Sequence, residues 1–218
     1  MVSARELSKR ETQRRVVTAA GELFAARGFD ATTVRDISEA AGVSLGTVMT
    51  VGDKNALLVR VFDGLIAAEH EQRAPSGSHS EPGCGAAADT AERLLDLVRP
   101  FVALFGAQQA LARSYAAIVA SGSQASTLFS ELAARLIGEF EAEIIRGGRA
   151  EAADVVALAR AAYFAYAGVL FTWSSRGGAG ASESAGASES AEPIDLAEAL
   201  ERDIRSAFAA ICRSGVQV

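Results

Sequence analysis

The segment TVRDISEAAGVSLGTVMTV, residues 33–51, decides the fold class, because its letters describe two short helices joined by a tight turn. Thr33 is followed three residues later by Asp36, a pattern that resembles a capping box and predicts the start of the first helix, which Gly42 ends. Ser44 is placed to cap the second helix. Helix, Gly-containing turn and helix form a helix-turn-helix, whose second helix can lie in the DNA major groove. The geometry alone leaves DNA binding open, since short helical hairpins also occur in proteins that never touch DNA.

Helical periodicity continues on both sides of this segment. Apolar residues at helical spacing predict a first helix over about 9–27, ended by Gly28, and a fourth helix capped by Asp53. The sequence shows no strand-like alternation of apolar and polar residues. Beyond the fourth helix, the same periodicity predicts helices near 87–105, 107–120, 124–146, 151–174 and 194–213. The chain is therefore predicted to be all-α with about nine helices.

Composition agrees with this prediction and adds a charge asymmetry. The chain has 218 residues, is 50% hydrophobic with alanine prominent, and has only four prolines, which suits helices. Its net charge is −6, yet residues 1–35 carry seven Lys or Arg against four Asp or Glu. A basic end on an acidic protein is compatible with a bound polyanion, and a solvated surface is the alternative.

Two low-complexity stretches divide the chain. Residues 73–86 are rich in Gly, Ser and Pro and predict a flexible linker, and residues 177–191, with the tandem GASESAGASES, predict an insertion. We therefore expect a helix-turn-helix domain over 1–72, including the fourth helix, and a second helical domain over 87–218.

Specific residues narrow the function. Over about residues 10–65 the chain resembles the N-terminal DNA-binding domain of TetR-type transcriptional regulators. The pieces that carry the resemblance are RVVTAAGELF at 15–24, GF at 28–29, ATTV at 31–34, DIS at 36–38, AGVS at 41–44, GT at 46–47 and KNALL at 54–58. The resemblance implies a homodimeric regulator with two N-terminal helix-turn-helix units and a divergent C-terminal domain that binds an effector and dimerises.

One departure from the family pattern lies at the end of the recognition helix. The family usually reads Gly-Thr-Leu-Tyr-x-His/Tyr-Phe before a two-residue gap and Lys, whereas the run from Gly46 to Lys54 is one residue shorter. Both polar aromatics, which commonly contact the DNA backbone in the family, are therefore missing. We expect fewer phosphate contacts there and a helix end that is tightened or unwound.

The remaining residues of this region still suggest roles in DNA binding. Thr33 begins a helix and can offer its hydroxyl or backbone N–H to a phosphate, and Lys54 opposes the dipole of its own helix, which favours phosphate neutralisation. The recognition helix has no Arg, Asn or Gln for a bidentate base contact, but Ser and Thr can reach base edges and Leu or Met can contact a thymine methyl. The predicted DNA-binding set is Thr33, Arg35, Ser44, Leu45, Gly46, Thr47, Met49, Thr50 and Lys54, with Arg10, Arg14 and Arg15 as supplementary charge.

The second domain is predicted to hold the effector. Most of its aromatic residues suit an ordinary core, but the hydroxyls of Tyr163 and Tyr166 need partners that protein, water or a ligand can supply. With few internal charges nearby, we expect a largely apolar small molecule, neutral or weakly anionic. The predicted ligand-binding residues are Phe101, Phe105, Tyr115, Tyr163 and Tyr166.

A dimer interface is expected on the last two helices. A stripe of small residues permits close helix approach, and the final helix carries an apolar face, which together suggest the four-helix interface that the family resemblance implies. Packing within the chain alone is the alternative. The predicted interface residues are Ala161, Ala165, Gly168, Leu200, Ile204 and Phe208.

Other function classes find little support. The two histidines, His70 and His79, and the two cysteines, Cys84 and Cys212, have no catalytic or metal-ligand spacing, so no enzyme, metal or cofactor is expected. The first fifteen residues hold seven charged residues and no apolar run, and the apolar stretch 161–173 is shorter than the ~20 residues of a membrane span, so a cytoplasmic protein is expected. The prediction is a DNA-binding regulator, a repressor released from its operator by an apolar effector. The alternative is a helical interaction or ligand-binding protein with weakened DNA binding.

Overall fold

The computed structural model describes residues 3–72, 86–124, 127–148, 152–176 and 196–214. Within these ranges the chain forms nine helices and no strand, which confirms the all-α prediction. The predicted linker 73–86, apart from its last residue, and the predicted insertion 177–191 lie outside the described residues. The helices are α1 (Ala4–Arg27), α2 (Val34–Ala41), α3 (Leu45–Val51), α4 (Lys54–Gln72), α5 (Ala86–Ala107), α6 (Gln109–Ala120), α7 (Thr127–Arg146), α8 (Ala152–Arg176) and α9 (Leu196–Ser214).

Local capping explains where the N-terminal helices begin. Thr33 and Asp36 form the predicted capping box: the Thr33 hydroxyl accepts from the Asp36 N–H at 3.2 Å, and the Asp36 carboxylate accepts from the Thr33 N–H at 2.8 Å. The Ser44 hydroxyl caps α3 through the Thr47 N–H. Only α1 differs clearly, beginning about five residues earlier than predicted because Ser3 caps it.

The described residues form two compact units. The N-terminal unit contains α1 to α3, α4 as far as Ala68, and α6, while the C-terminal unit contains the end of α4 with α5, α7, α8 and α9. Helix α6 thus belongs with the N-terminal helices, although its sequence position after the linker predicted that it would belong to the second domain.

Apolar side chains from every helix of the N-terminal unit meet in its core. Phe24 of α1, Ile37 of α2 and Val48 of α3 are buried. Tyr115 brings α6 into the same unit, because its ring stacks on Phe62 of α4 with ring centroids 4.6 Å apart. This core fixes the helix-turn-helix against its supporting helices.

In the C-terminal unit, α5 packs on α7 and α9, and α8 packs on α7 and α9. Phe140 of α7 meets Phe208 of α9 edge to face, with ring centroids 5.6 Å apart. Ion pairs also join the helices: Arg205 of α9 lies 2.8 Å from Glu92 of α5. The close approach of α5 and α9 depends on Gly106, because a Cβ there would lie 3.1 Å from the Cβ of Ala197.

This packing corrects the prediction for the α9 side of the dimer interface. Leu200, Ile204 and Phe208 are 1%, 0% and 0% exposed within the single chain. Their apolar face is already covered by the helices of their own unit, so these side chains have no surface to offer a partner. The alternative of packing within the chain is the correct one for these three residues.

Helix α8 is the most apolar of the described helices. Its span Asp154–Trp173 is long and apolar enough, by length and composition, to cross a membrane, a test that core helices of soluble proteins also pass. Here α8 packs against α7 and α9, and this packing buries about a third of that span.

Candidate DNA-binding and ligand-binding sites

The turn of the helix-turn-helix is held by backbone hydrogen bonds. Gly42 has φ 63°, a left-handed conformation that glycine adopts without strain, and its N–H donates to the Glu39 carbonyl at 3.2 Å. The next N–H, of Val43, donates to the Ser38 carbonyl at 3.1 Å. These bonds satisfy the last carbonyls of α2 and set the direction in which α3 leaves the turn.

Arg15 of α1 adds a side-chain cap to the same helix end. Its guanidinium donates to the Ala41 carbonyl and, at 3.3 Å, to the Gly42 carbonyl. The positive charge of the guanidinium also lies at the negative end of the helix dipole. Hydrogen bonding and the helix dipole therefore both favour this contact. Sequence reasoning gave Arg15 only a supplementary charge, because its partners lie 26 and 27 residues away in the chain.

The outward face of α3 is apolar at two positions. Leu45 and Met49 are 51% and 52% exposed, while Val48 is fully buried and fixes the helix on the core. The predicted residues Ser44, Gly46 and Thr50 are also exposed. The structure therefore brings the predicted recognition-helix residues to one accessible surface.

The hydroxyls on this surface hydrogen-bond within the helix. The Ser44 and Thr47 hydroxyl oxygens are 2.8 Å apart, and the Thr50 hydroxyl donates to the Thr47 carbonyl at 2.7 Å. These bonds satisfy local groups that water would otherwise satisfy. Because hydroxyl protons are used in these bonds, fewer of them point away from α3 toward solvent.

We expected the shortened region to leave the end of α3 tightened or unwound, and the structure shows neither. The α-helix extends to Val51, and the Gly52 N–H completes it by donating to the Val48 carbonyl at 3.1 Å. Gly52 then passes so near α4 that a Cβ there would lie 2.8 Å from the Cβ of Ala56. The connection needs only two residues, because Asp53 caps α4 at once by accepting from the Ala56 N–H at 2.8 Å.

Thr33 is exposed at the start of α2, and Asp36 engages both groups predicted to meet a phosphate. The Thr33 hydroxyl donates to the Asp36 carboxylate at 2.6 Å, in addition to the backbone bond described above. These hydrogen bonds from the Thr33 side chain and backbone hold the pKa of Asp36 below its ordinary value. A phosphate at this position must therefore compete with the Asp36 carboxylate.

The two predicted cations differ in their surroundings. Arg35 is largely exposed and pairs with Glu39 at 3.4 Å on the surface of α2. Lys54 is half-buried: its ammonium lies 4.3 Å from the centroid of the Phe29 ring and donates to the Asp30 carbonyl at 3.2 Å. An ammonium has three donors, so this lysine keeps N–H groups for a phosphate while it is positioned by the loop after α1.

The five predicted ligand residues do not lie in one unit. Phe101 and Phe105 of α5 and Tyr163 and Tyr166 of α8 are buried in the C-terminal unit. Tyr115 belongs to the N-terminal unit, where its hydroxyl donates to the Asp63 carboxylate at 2.9 Å.

Two further features of the C-terminal unit concern polar groups in apolar surroundings. Burial raises the pKa of the Tyr163 hydroxyl to about 12, since the phenolate would lose hydration there. Sequence reasoning missed Trp173, whose buried indole N–H has no acceptor among the described residues. The signal that could have found it is that an indole N–H in an apolar helix needs a hydrogen-bond partner.

One face of α8 is open. Ala161 and Gly168 are exposed, Ala165 is half-buried, and Phe164, on the same side of the helix, is 60% exposed. Sequence reasoning counted Phe164 with the core aromatics, because helical periodicity alone does not distinguish the two sides of a helix that is apolar all round. The three predicted small residues therefore lie beside an exposed aromatic ring.

Among the described residues, no group of three or more His, Cys, Asp or Glu side chains is arranged to hold a metal ion. The site chemistry of these ranges is that of helix termini, cations and apolar surfaces. The N-terminal unit has the architecture of a helix-turn-helix DNA-binding module, and α3, the second helix of the helix-turn-helix, is exposed.

Comparisons with known proteins agree with this class. Residues 16–50 match the family model described as "Bacterial regulatory proteins, tetR family". Solved structures with a similar fold include that of Thermus thermophilus FadR, a TetR family transcriptional repressor, in complex with lauroyl-CoA. FadR is 22% identical to this chain, with a TM-score of 0.57, and the match covers 94% of this chain and 95% of FadR. Another is a protein of Mesorhizobium loti assigned to the TetR family, 16% identical with a TM-score of 0.52, covering 94% and 97%. No curated protein matches the chain. The match to the tetR family model thus covers the helix-turn-helix segment, and the likeness to the two solved structures extends the same fold over nearly the whole chain.

Proposed function

We propose that this chain is a cytoplasmic, homodimeric repressor that binds operator DNA through two helix-turn-helix units and leaves it when a largely apolar small molecule binds. DNA binding is assigned to residues 1–72, and effector binding and dimerisation to 87–218, with 73–86 as the linker and 177–191 as an insertion. The observation that carries the DNA-binding part is the exposed α3, supported on a buried Val48 and directed by a doubly capped turn.

The DNA interface consists of a reading surface and a phosphate-binding rim. The exposed residues of α3 face the base edges, while Thr33, Arg35 and Lys54 lie at the starts of α2 and α4, where backbone phosphates are expected. The pairing of Arg35 with Glu39 is a weak surface contact that a phosphate can replace. Lys54 is already oriented by Phe29, so it loses less side-chain freedom on binding.

The dimer forms through the open face of α8. Small residues at 161, 165 and 168 let two copies of the helix approach closely, and the exposed Phe164 supplies apolar area for burial. A two-fold dimer presents two recognition helices, so the operator half-sites are centred about one helical turn or somewhat more apart.

The effector lies among the helices of the C-terminal unit, near Phe101, Phe105, Tyr163 and Tyr166. Their buried rings suit an apolar body, and the Trp173 indole N–H is a donor for a polar end of the ligand. The structural neighbour from Thermus thermophilus was solved with lauroyl-CoA, which has a twelve-carbon acyl chain and an anionic carrier. The acyl chain of that ligand supports an effector with an apolar body here on grounds of fold alone.

Release requires that the effector prefer one arrangement of the dimer. If the effector binds more tightly when the recognition helices are misspaced for the operator, it shifts the population away from DNA. A ligand with equal affinity for both arrangements would leave DNA binding unchanged, however tightly it bound.

The DNA-binding part is tested by selecting duplexes from a random library and measuring their affinity by fluorescence anisotropy, alongside DNA upstream of the protein's own gene. We expect salt-dependent binding to a two-fold symmetric site. Thr47→Ala should change base preference, because the residue lies within the reading surface. The absence of retention at low salt at any protein concentration would refute the repressor function.

The sensing part has a built-in probe, since Trp173 is the only tryptophan of the chain. Titration with saturated fatty acids and their CoA thioesters should change its fluorescence, raise the melting temperature and lower affinity for the selected duplex. Tyr163→Phe and Tyr166→Phe should weaken the titration. A compound that stabilises the protein yet leaves DNA affinity unchanged would refute the release mechanism and leave DNA binding intact.

A further inference from the structure

The outward face of α3 offers apolar contact where many recognition helices offer hydrogen bonds. Leu45 and Met49 are four residues apart, so they lie on one face of the helix, each about half exposed. The sequence of α3, LGTVMTV, has no charged or amide side chain. Single exposed apolar residues are ordinary, but these two lie about one helical turn apart and define an apolar strip on the surface that faces DNA in the function proposed above.

The polar side chains around this strip are engaged within the helix. The hydroxyls of Ser44 and Thr47 meet at 2.8 Å, and that of Thr50 donates to the Thr47 carbonyl at 2.7 Å. Donating a proton to a base acceptor requires that the Thr50 bond, or the bond between Ser44 and Thr47, be broken or shared, although each hydroxyl oxygen can still accept from a base amino group. The strip formed by Leu45 and Met49 needs no such rearrangement.

The major groove presents one apolar group to such a strip, the 5-methyl of thymine. We propose, on the basis of the DNA-binding function proposed above, that Leu45 and Met49 determine operator choice by packing against 5-methyl groups in the major groove. The substrate class is therefore a duplex whose half-sites present such methyls, on thymine or on 5-methylcytosine.

The spacing of the strip sets the spacing of the methyl groups. Four residues of α-helix rise about 6 Å. Successive base pairs are about 3.4 Å apart along the duplex, so the strip spans at most about two base-pair steps, and less where α3 is inclined to the duplex axis. Each half-site is expected to contain methyl-bearing bases within about two steps of each other.

Equivalence of thymine and 5-methylcytosine follows from the chemistry of the contact. Thymine presents O4 as an acceptor and cytosine presents N4 as a donor, so a hydrogen-bonding side chain distinguishes the two bases. An apolar side chain contacts only the methyl, which occupies the same position on both rings. Binding should therefore respond to methylation of cytosine at these positions.

The experiment uses the full-length protein and a duplex selected from a random library. Each thymine is replaced in turn by deoxyuridine, which removes the methyl and keeps every hydrogen-bonding group. At the contacted positions we expect each lost methyl to weaken binding by about 3–5-fold. Replacing a contacted T·A pair with C·G should weaken binding, and 5-methylation of that cytosine should restore most of the loss.

Three variants assign the effect to residues. Leu45→Ala and Met49→Ala should each bind more weakly and become insensitive to deoxyuridine at one set of positions. Ile145→Ala is the matched control, because Ile145 is an exposed apolar residue (61%) on α7, outside the reading surface. It should keep the full deoxyuridine penalty.

The outcomes separate this inference from the function on which it rests. A protein that binds the selected duplex tightly and shows no deoxyuridine penalty at any position overturns methyl reading and leaves DNA binding intact. Failure to bind any duplex overturns the proposed function itself. Deoxyuridine penalties that persist undiminished in both alanine variants would assign the contact to other residues and overturn the roles of Leu45 and Met49.

Discussion

Arg15→Ala tests whether the cap from α1 holds the helix-turn-helix together. In the wild-type chain the guanidinium bonds the carbonyls of Ala41 and Gly42, at the negative end of the α2 dipole. A hydrogen bond to a charged group contributes about 1.5–3 kcal/mol, and solvent contact of this side chain lowers the value. We therefore expect a loss of about 1–2 kcal/mol in the free energy of unfolding, or roughly 3–6 °C in Tm.

The adjacent arginine provides a matched control. Arg14 pairs with Glu11 at 2.7 Å on the exposed surface of α1, so its side chain bonds within its own helix. Arg14→Ala removes the same charge, so its general electrostatic effect on DNA binding should match that of Arg15→Ala. It should alter the free energy of unfolding much less.

The assay is urea denaturation followed by circular dichroism, together with DNA affinity at two salt concentrations. Arg15→Ala should be less stable than Arg14→Ala and should bind DNA more weakly, because the direction of α3 is less well fixed. The free energy of unfolding of Arg15→Lys should lie between those of Arg15→Ala and Arg14→Ala, since an ammonium keeps the charge but lacks the planar fork of a guanidinium. Equal stability of the two alanine variants would refute the capping role of Arg15.

Three further predictions concern other parts of the molecule. Lys54→Ala should weaken binding to every duplex and reduce the salt slope by about 0.9, as expected for one lost phosphate contact; a loss confined to one operator base would contradict this role. Phe164→Glu should yield folded monomers by light scattering, whereas Phe208→Glu, which places a charge in the core, should unfold the chain; a folded dimer of the Phe164 variant would exclude the α8 face. The Tyr163 pKa of about 12 exceeds its ordinary value of 10.0, so its contribution to stability is present below about pH 10 and is lost as the pH rises toward 12. Tyr163→Phe should therefore lose less stability than wild type between pH 9 and 11.5 in urea denaturation, and parallel losses would contradict burial as the cause.

Features that depend on residues close in the chain were predictable from sequence. The caps formed by Thr33, Ser44 and Asp53 each involve a side chain and a backbone group three residues apart. Their geometry is dictated by the first turn of the helix, whatever lies around it. The stop at Gly42 is equally local, because the left-handed conformation belongs to the residue itself.

Features that depend on distant partners were not predictable in this way. Nothing in the spacing of Arg15 and Ala41 reveals that they meet, and the bond between Tyr115 and Asp63 joins residues 52 positions apart. An amphipathic pattern predicts that one face of a helix is buried, but it does not identify the partner that buries this face. For this reason the apolar face with Phe208 was assigned to a second copy of the chain when its own helices cover it.

The shortened region after α3 shows how a local departure changes the chemistry of the site and leaves the fold intact. Gly52 allows the tight approach to Ala56, and Asp53 begins α4 without a longer loop, so α3 keeps its hydrogen bonds. What the deletion removes is the pair of polar aromatics that the family resemblance associates with backbone contacts. In the function proposed above, phosphate binding then depends on Lys54 and on the start of α2, and base reading depends on a helix that has no charged or amide side chain. In the methyl reading proposed above, each contact adds a discrimination of only a few-fold, so the proposed dimer, which doubles the number of such contacts, would make the operator more selective.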